Sequence, residues 1–186
     1  MKVVQSLLAG DIELHRITLE NLAAVRAMFE NEPDAQDMME EIESDYLPKY
    51  DDENRLTKYG FYVLKAGKIA GLSLLTVDSW EDARGSTGAD FLGSMRGQGL
   101  APGSKPHLFY LGFAVLGLNR IETGHFVSNR SSQRSIEKTP GFVFEGILRE
   151  HGRNDDGEFE DVKYYGIIRR DWLELYKDLD IAVVYQ

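Results

Sequence analysis

Asn129-Arg130-Ser131-Ser132-Gln133-Arg134-Ser135-Ile136-Glu137-Lys138, read together with the upstream stretch Arg96-Gly97-Gln98-Gly99-Leu100-Ala101, decides how this chain is read. The upstream stretch is a glycine loop that opens a helix. Backbone N–H groups from Gly97 to Ala101, left unpaired at a helix start, point at an anion that the helix dipole also favours. Glycine permits the close approach. The alternative is a plain strand-to-helix turn without a ligand. Downstream, a short polar helix places Asn129 and Ser132 one turn apart, so both can face one groove. Asn129 or Ser131 could equally be no more than the N-cap, with Ser132 in the first turn. Arg134 and Lys138, and likewise Arg130, either reach phosphates at the loop or form an exposed basic face.

Outward from these stretches, the pattern predicts one domain over residues 1–186, an α/β or α+β layered sheet of about seven strands and about four helices. Met1 to Gly10 reads as a lead-in, followed by a first strand over 11–17. Thr18 is the expected N-cap of a helix carrying Leu19, Leu22, Val25 or Arg26, and Phe29. Pro33-Asp34 starts a second helix with Met39, Ile42 and Tyr46 on one face and Asp37, Glu40, Glu41 and Glu43 on the other. An antiparallel hairpin over 59–65 and 69–78 turns at Ala66-Gly67, and 85–92 forms the next strand. Pro102, Gly103 and Pro106 predict that the following helix begins only near Gly103 or Ser104, with the loop displaced, and runs to Leu116. A strand over 120–127 and a helix over 131–138 come next. The last hairpin, 143–151 with 159–169, turns at Asn154-Asp155-Asp156-Gly157, where Asp-Gly is read as supplying positive φ.

Composition narrows the function classes. The 186 residues contain no cysteine, which excludes a disulfide framework, a thiolate metal site and a cysteine nucleophile. Lysine and arginine number 21 against 31 acidic residues, and the net charge of −10 argues against nucleic acid and for a cationic partner, or for acidity that merely keeps the chain soluble. No apolar stretch approaches the ~20 residues that cross a bilayer, and the N-terminal run is too interrupted for a signal peptide. The expectation is a cytoplasmic protein with no membrane and no nucleic-acid partner.

The middle and C-terminal parts resemble the GNAT N-acetyltransferases, in the branch that includes the ribosomal-protein N-terminal acetyltransferases RimJ and RimL. Arg96-x-x-Gly99-x-Ala101 matches the superfamily's pyrophosphate loop. Leu116-Gly117-Leu118-Asn119-Arg120-Ile121-Glu122 then matches its helix-to-strand junction, and Asn129-x-x-Ser132-Gln133-Arg134-x-Ile136-Glu137-Lys138 its next helix. Gly141-Phe142, Glu145-Gly146-Ile147-Leu148-Arg149 and Asp171-Trp172 continue the register. The chain departs from the family at Pro140, which lengthens the turn after Lys138, and at Ser86, where the family often carries a glutamate on the strand.

The resemblance implies the GNAT fold and acetyl transfer from acetyl-CoA to a primary amine through a ternary complex, with no metal. The amine would belong to a protein N-terminus or a small molecule, and dimerisation to a homodimer is an expectation from the resemblance alone. It also implies that Phe91, Leu92, Arg96, Gly97, Gln98, Gly99, Leu100, Ala101, Asn129 and Arg134 bind the cofactor. Backbone at Phe91 and Leu92 would donate to the thioester oxygen, and Ser132 would protonate the departing thiolate. A protonated amine must lose a proton before attack. Asp90 on the strand and Glu150 at the end of the next-to-last strand are the candidate carboxylates, with His151 beside the latter. A CoA-binding or regulatory module without turnover is the alternative, motivated by the two prolines and the missing glutamate.

Overall fold

The computed structural model describes residues 3–33, 35–154 and 156–185. Among the described residues nine strands form one sheet, and five α-helices cover its two faces. In chain order these are β1 (Val4–Ala9), β2 (Ile12–Arg16), α1 (Leu22–Phe29), α2 (Gln36–Glu41), β3 (Lys58–Lys65), β4 (Lys68–Ser79), β5 (Arg84–Phe91), α3 (Leu100–Tyr110), β6 (Arg120–Phe126), α4 (Arg130–Glu137), β7 (Val143–Arg153), β8 (Phe159–Ile168), α5 (Arg169–Leu175) and β9 (Ala182–Tyr185). Across the sheet the order is β7-β8-β6-β5-β4-β3-β2-β1-β9. The mixed α/β class is as expected, and the element count is larger than the sequence suggested. Residues 4–9, expected as a lead-in, are themselves a strand paired with β2 on one side and β9 on the other.

Alternation along the strands divides the core in two. Phe61, Val63, Leu75 and Val77 pack with Leu108, Phe109, Phe113 and Trp172 of the α3 and α5 side. Leu72 and Leu92 pack with Val25, Phe29, Met38, Ile42 and Tyr46 of the α1 and α2 side. The β3–β4 hairpin turns where expected, with Ala66 at φ 48° and Gly67 at φ 76°, both positive as a two-residue turn requires.

Several local expectations are corrected. Thr18 does cap, its Oγ1 accepting from Asn21 N at 3.3 Å, but it opens the turn over 19–21. The helix proper begins at Leu22, and Leu19 is left 76% exposed. Asp34, expected at the second helix's start, lies outside the described residues. That helix runs on from α2 as a π turn, Ile42–Tyr46, and buries Met38 rather than Met39 as its first apolar contact. In the last hairpin Asp155 lies outside the described residues, and Asp156 is not at positive φ. Gly157, at φ 80°, makes the reversal while Asn154 Oδ1 accepts from the N–H groups of Asp156 and Glu158. The inserted Pro140 is held by its carbonyl, which accepts from Tyr176 Oη at 2.9 Å just beyond α5.

Candidate active site

The site begins where two strands part. β5 and β6 run parallel and pair only from Arg84 to Ser86 against Arg120 to Glu122, after which they diverge. Thr87 stands at the fork. Its carbonyl accepts from Thr123 Oγ1 at 3.1 Å, and its own Oγ1 accepts from Lys105 Nζ of α3 at 3.0 Å. Beyond it a cavity of about 560 Å³ opens, walled by Gly88 to Phe91 of β5, Thr123 and Gly124 of β6, and Asn129, Ser132 and Ser135 beside or on α4.

A second cavity of about 430 Å³ adjoins the first and shares Phe91, Arg96, Ala101, Ser131 and Ser135 with it. Its other lining residues include Gly97, Gly99, Arg134 and Lys138, so the glycine loop and the basic end of α4 meet there. Gly97 at φ 78° and Gly99 at φ 73° adopt the left-handed conformation, and Gly99 is the N-cap of α3. The helix therefore starts at Leu100, not near Gly103 or Ser104. Pro102 falls in the first turn, where no intrahelical partner awaits its missing N–H, and the helix also carries Pro106 in its interior. The first intrahelical bond is Gly103 N to Gly99 O at 2.9 Å, which leaves the Leu100 and Ala101 N–H groups at the mouth of the second cavity. The prolines do not delay the helix start.

The sequence-predicted residues divide as follows. Arg96, Gly97, Gly99, Leu100, Ala101, Asn129, Arg134, Phe91, Asp90 and Ser132 all line one or both cavities. Leu100 does so while burying its side chain in the core, at 3% exposure. Gln98 is exposed and directs its amide to the Ser94 carbonyl at 3.5 Å. Leu92 is a correction: its N–H donates to the Ala70 carbonyl at 3.0 Å and its side chain joins the α1–α2 core, so it has no donor to offer a thioester. Asn129 is the N-cap of α4, its Oδ1 accepting from Ser132 N at 2.9 Å. Capping and cleft lining thus coexist at Asn129, while the Ser132 hydroxyl stays out of the cap.

Glu150 is not brought to the cleft. It sits exposed at φ 47° in a bulge of β7, with its N–H donating to Asp161 Oδ1 at 2.8 Å, and lines none of the described cavities. A bulge shifts the alternation of side chains along a strand. His151, itself exposed, borders a cavity of about 360 Å³ that shares Gly124, Asn129 and Ser132 with the cleft.

Carboxylates also gather about the cleft. Asp90 Oδ2 accepts from the Tyr46 hydroxyl at 2.8 Å. Tyr46 is held protonated well above its usual range, by burial first and then by the charge of Asp90. Burial, and after it the charges of Asp90, Asp45 and Asp37, push Glu41 up. The acidic face is less uniform than its sequence suggested: Glu43 is ion-paired with Arg26, and Asp45 with Lys58. Ser86, at the family's glutamate position, donates to Asp78 Oδ1 at 3.1 Å and lines no described cavity.

The sequence reading missed Lys105. It is 5% exposed, and burial lowers its pKa to about 7 against a raising influence from Asp90. Its signal lay in its spacing, one helical turn from Ala101 and one from Phe109, which puts it on the inward face of α3. Among the described residues, no cluster of side chains suited to holding a metal ion is present, and no helix is long and apolar enough to cross a membrane.

No family model matches the chain, and no curated protein matches it by sequence. Solved structures do match. A protein from T. thermophilus assigned as an acetyltransferase is 20% identical, with 95% of this chain and 96% of that one covered at a TM-score of 0.73. The dodecameric spermidine N-acetyltransferase from Vibrio cholerae is 19% identical, with 90% of this chain and 98% of that one covered at a TM-score of 0.64. The architecture, with its forked central strands, is the GNAT acetyltransferase fold.

Proposed function

We propose that this chain transfers an acetyl group from acetyl-CoA to the primary amine of a small cationic molecule. One observation carries the reading: two adjoining cavities share Phe91, Arg96, Ala101, Ser131 and Ser135, the one at the β5–β6 fork lined by Asp90 and the other by the glycine-loop helix start with Arg134 and Lys138. The glycine-loop helix start suits an anion, and the Asp90 carboxylate a cation. The pyrophosphate of acetyl-CoA would lie on the N–H groups of Leu100 and Ala101, and the pantetheine arm would run along the free edge of β5. Donors to the thioester oxygen as it gains charge would come from the Gly88 to Phe91 backbone. Ser132 would protonate the leaving thiolate.

A small cationic amine is favoured over a protein N-terminus by the carboxylate of Asp90 in the cleft, with Glu41 near enough for their charges to interact. The spermidine acetyltransferase among the solved relatives supports the same choice. The non-catalytic alternative loses one of its two motives, because α3 starts at Leu100 in spite of the prolines, while Ser86 still stands in place of the glutamate. The test is product analysis by mass spectrometry after incubation with acetyl-CoA and either spermidine or a short peptide with a free N-terminus. Monoacetylated spermidine with unmodified peptide is expected; acetylated peptide with unmodified spermidine would reverse the acceptor assignment.

A further inference from the structure

The floor of the cleft holds a group for which acetyl transfer, as set out above, has no use. Lys105 reaches from the second turn of α3 to Thr87 at the fork and lines the same cavity as Asp90, Phe91 and Ser132. Buried lysines are ordinarily paired with a carboxylate. Here the hydrogen-bond partner is a neutral hydroxyl. Asp90 on β5 is the charged group that acts on it, and Arg96 lines the same cavity. His107 on α3 turns away, its Nε2 3.2 Å from the Ile12 carbonyl of β2, and Arg134 and Lys138 line the neighbouring cavity.

The geometry points to Lys105 as the proton acceptor of the transfer reaction, taking the proton that the acceptor's ammonium must lose, directly or across one water in the cavity. The assignment rests on the acetylation reading of this cleft. In the neutral amine one N–H remains donated to Thr87 Oγ1, which leaves the Nζ lone pair for the cavity. An ordinary lysine, with a pKa near 10.4, is almost wholly charged at neutral pH and accepts nothing. Burial brings Lys105 to about 7, where both forms are populated and proton transfer is most effective. Asp90, already accepting from Tyr46, is left to hold the ammonium by charge.

The step balances. The ammonium gives one proton to Lys105 Nζ, and the freed amine attacks the thioester carbonyl carbon to form the C–N bond. The C–S bond then breaks with its electron pair leaving on sulfur. The second proton from nitrogen passes through the Ser132 hydroxyl to sulfur, yielding the free thiol. Lys105 returns its proton to solvent, so one proton is released per turnover.

The experiment is CoA release from saturating acetyl-CoA with spermidine as acceptor, followed from pH 6 to 9.5 for the wild type, Lys105→Met and Lys105→Arg. The wild-type rate should rise through about pH 7 and level off. Lys105→Met should lower kcat at neutral pH by about 10²-fold and lose that inflection, the rate instead climbing toward the acceptor's own pKa. Arginine, which cannot accept a proton, should not restore the rate, and acetyl-CoA affinity should persist in both variants. Thr87→Val, which leaves Lys105 in place without its hydroxyl partner, should move the inflection to lower pH and guards against a misfolded lysine variant. An unchanged inflection in both Lys105→Met and Thr87→Val, or full activity in Lys105→Arg, overturns the assignment while acetylation stands. A wild type that releases no CoA with spermidine or any other amine overturns both.

Discussion

Tyr46 donates its hydroxyl to Asp90 Oδ2 at 2.8 Å, tying the π turn that follows the acidic helix to the strand that forms one wall of the cleft. The contact fixes where the Asp90 carboxylate stands in the cleft. Tyr46 is 3% exposed, and a Cβ placed on Gly60 would meet its carbonyl oxygen at 2.0 Å, so backbone packing as well as the hydrogen bond holds it. Asp90 therefore faces an incoming amine from a set position, with Glu41 close enough to feel its charge.

Acceptor capture should depend on this pair of carboxylates. The KM for spermidine is expected to rise with salt, because screening shortens the reach of exposed charge to about 8 Å at physiological ionic strength. It should also rise on acidification, and sooner than for an ordinary glutamate, since burial and neighbouring carboxylates raise the pKa of Glu41. Glu41→Gln should raise KM and weaken both dependences while leaving acetyl-CoA affinity alone. Steady-state kinetics over salt and pH would check this, and a KM indifferent to salt, pH and the substitution would reduce the acidic segment to a solvated face.

Gly99→Glu should abolish acetyl-CoA binding. A side chain at φ 73° costs about 1–2 kcal/mol for a non-glycine residue, and a carboxylate would stand where the pyrophosphate belongs. Space is not the obstacle, since a Cβ there meets nothing within 4 Å. Calorimetric titration should therefore show wild-type heat and none from a variant that still melts cooperatively.

Ser132 and Asn129 should separate in mutagenesis. Ser132→Ala is expected to lower turnover by up to about 10²-fold with little change in Tm, because its hydroxyl takes no part in the cap. Asn129→Ala should instead destabilise the chain by about 1 kcal/mol, through loss of the N-cap. Thermal melts recorded beside kinetics would show the two effects crossing over if the roles are reversed.

Lys105 should make stability depend on pH in a particular direction. Unfolded, it holds its proton to about 10.4; folded, it releases it near 7. Between these values the unfolded chain binds more protons, so stability rises with pH, and the cost of the buried lysine is fully present below about 7. Lys105→Met should raise Tm most below neutrality, with the gain fading as the pH climbs toward 10. A Tm difference that stays constant over this range would mean the lysine does not titrate as described.

Legibility in the sequence followed from how strongly local chemistry constrains position. The glycine loop and the α4 motif could be read because left-handed glycines and a capped polar helix leave a sharp local signature at Gly97, Gly99, Asn129 and Ser132. Leu92 and Glu150 could not, since an N–H engaged by Ala70 and a bulge at Glu150 are set by strand pairing between distant segments. β1 escaped for a similar reason: its alternation breaks at Ser6 and Leu7, both buried, and its place is set by pairing with β2 and β9. Pro102 and Pro106 pointed to a late helix start, yet the αL cap at Gly99 decided it. Lys105 escaped because lysine reads as a surface residue, and only its alignment with Ala101 and Phe109 along α3 gave it away.

The central claim is that acetyl-CoA bound in the β5–β6 fork gives up its acetyl group to a small amine. Its most direct measurement is amine-dependent release of free CoA thiol from acetyl-CoA by the purified chain, scanned over mono-, di- and polyamines at neutral pH and low salt. Release that saturates with a di- or polyamine, and is absent without amine, is the predicted result. Acetyl-CoA that binds but yields no thiol with any amine would contradict the account.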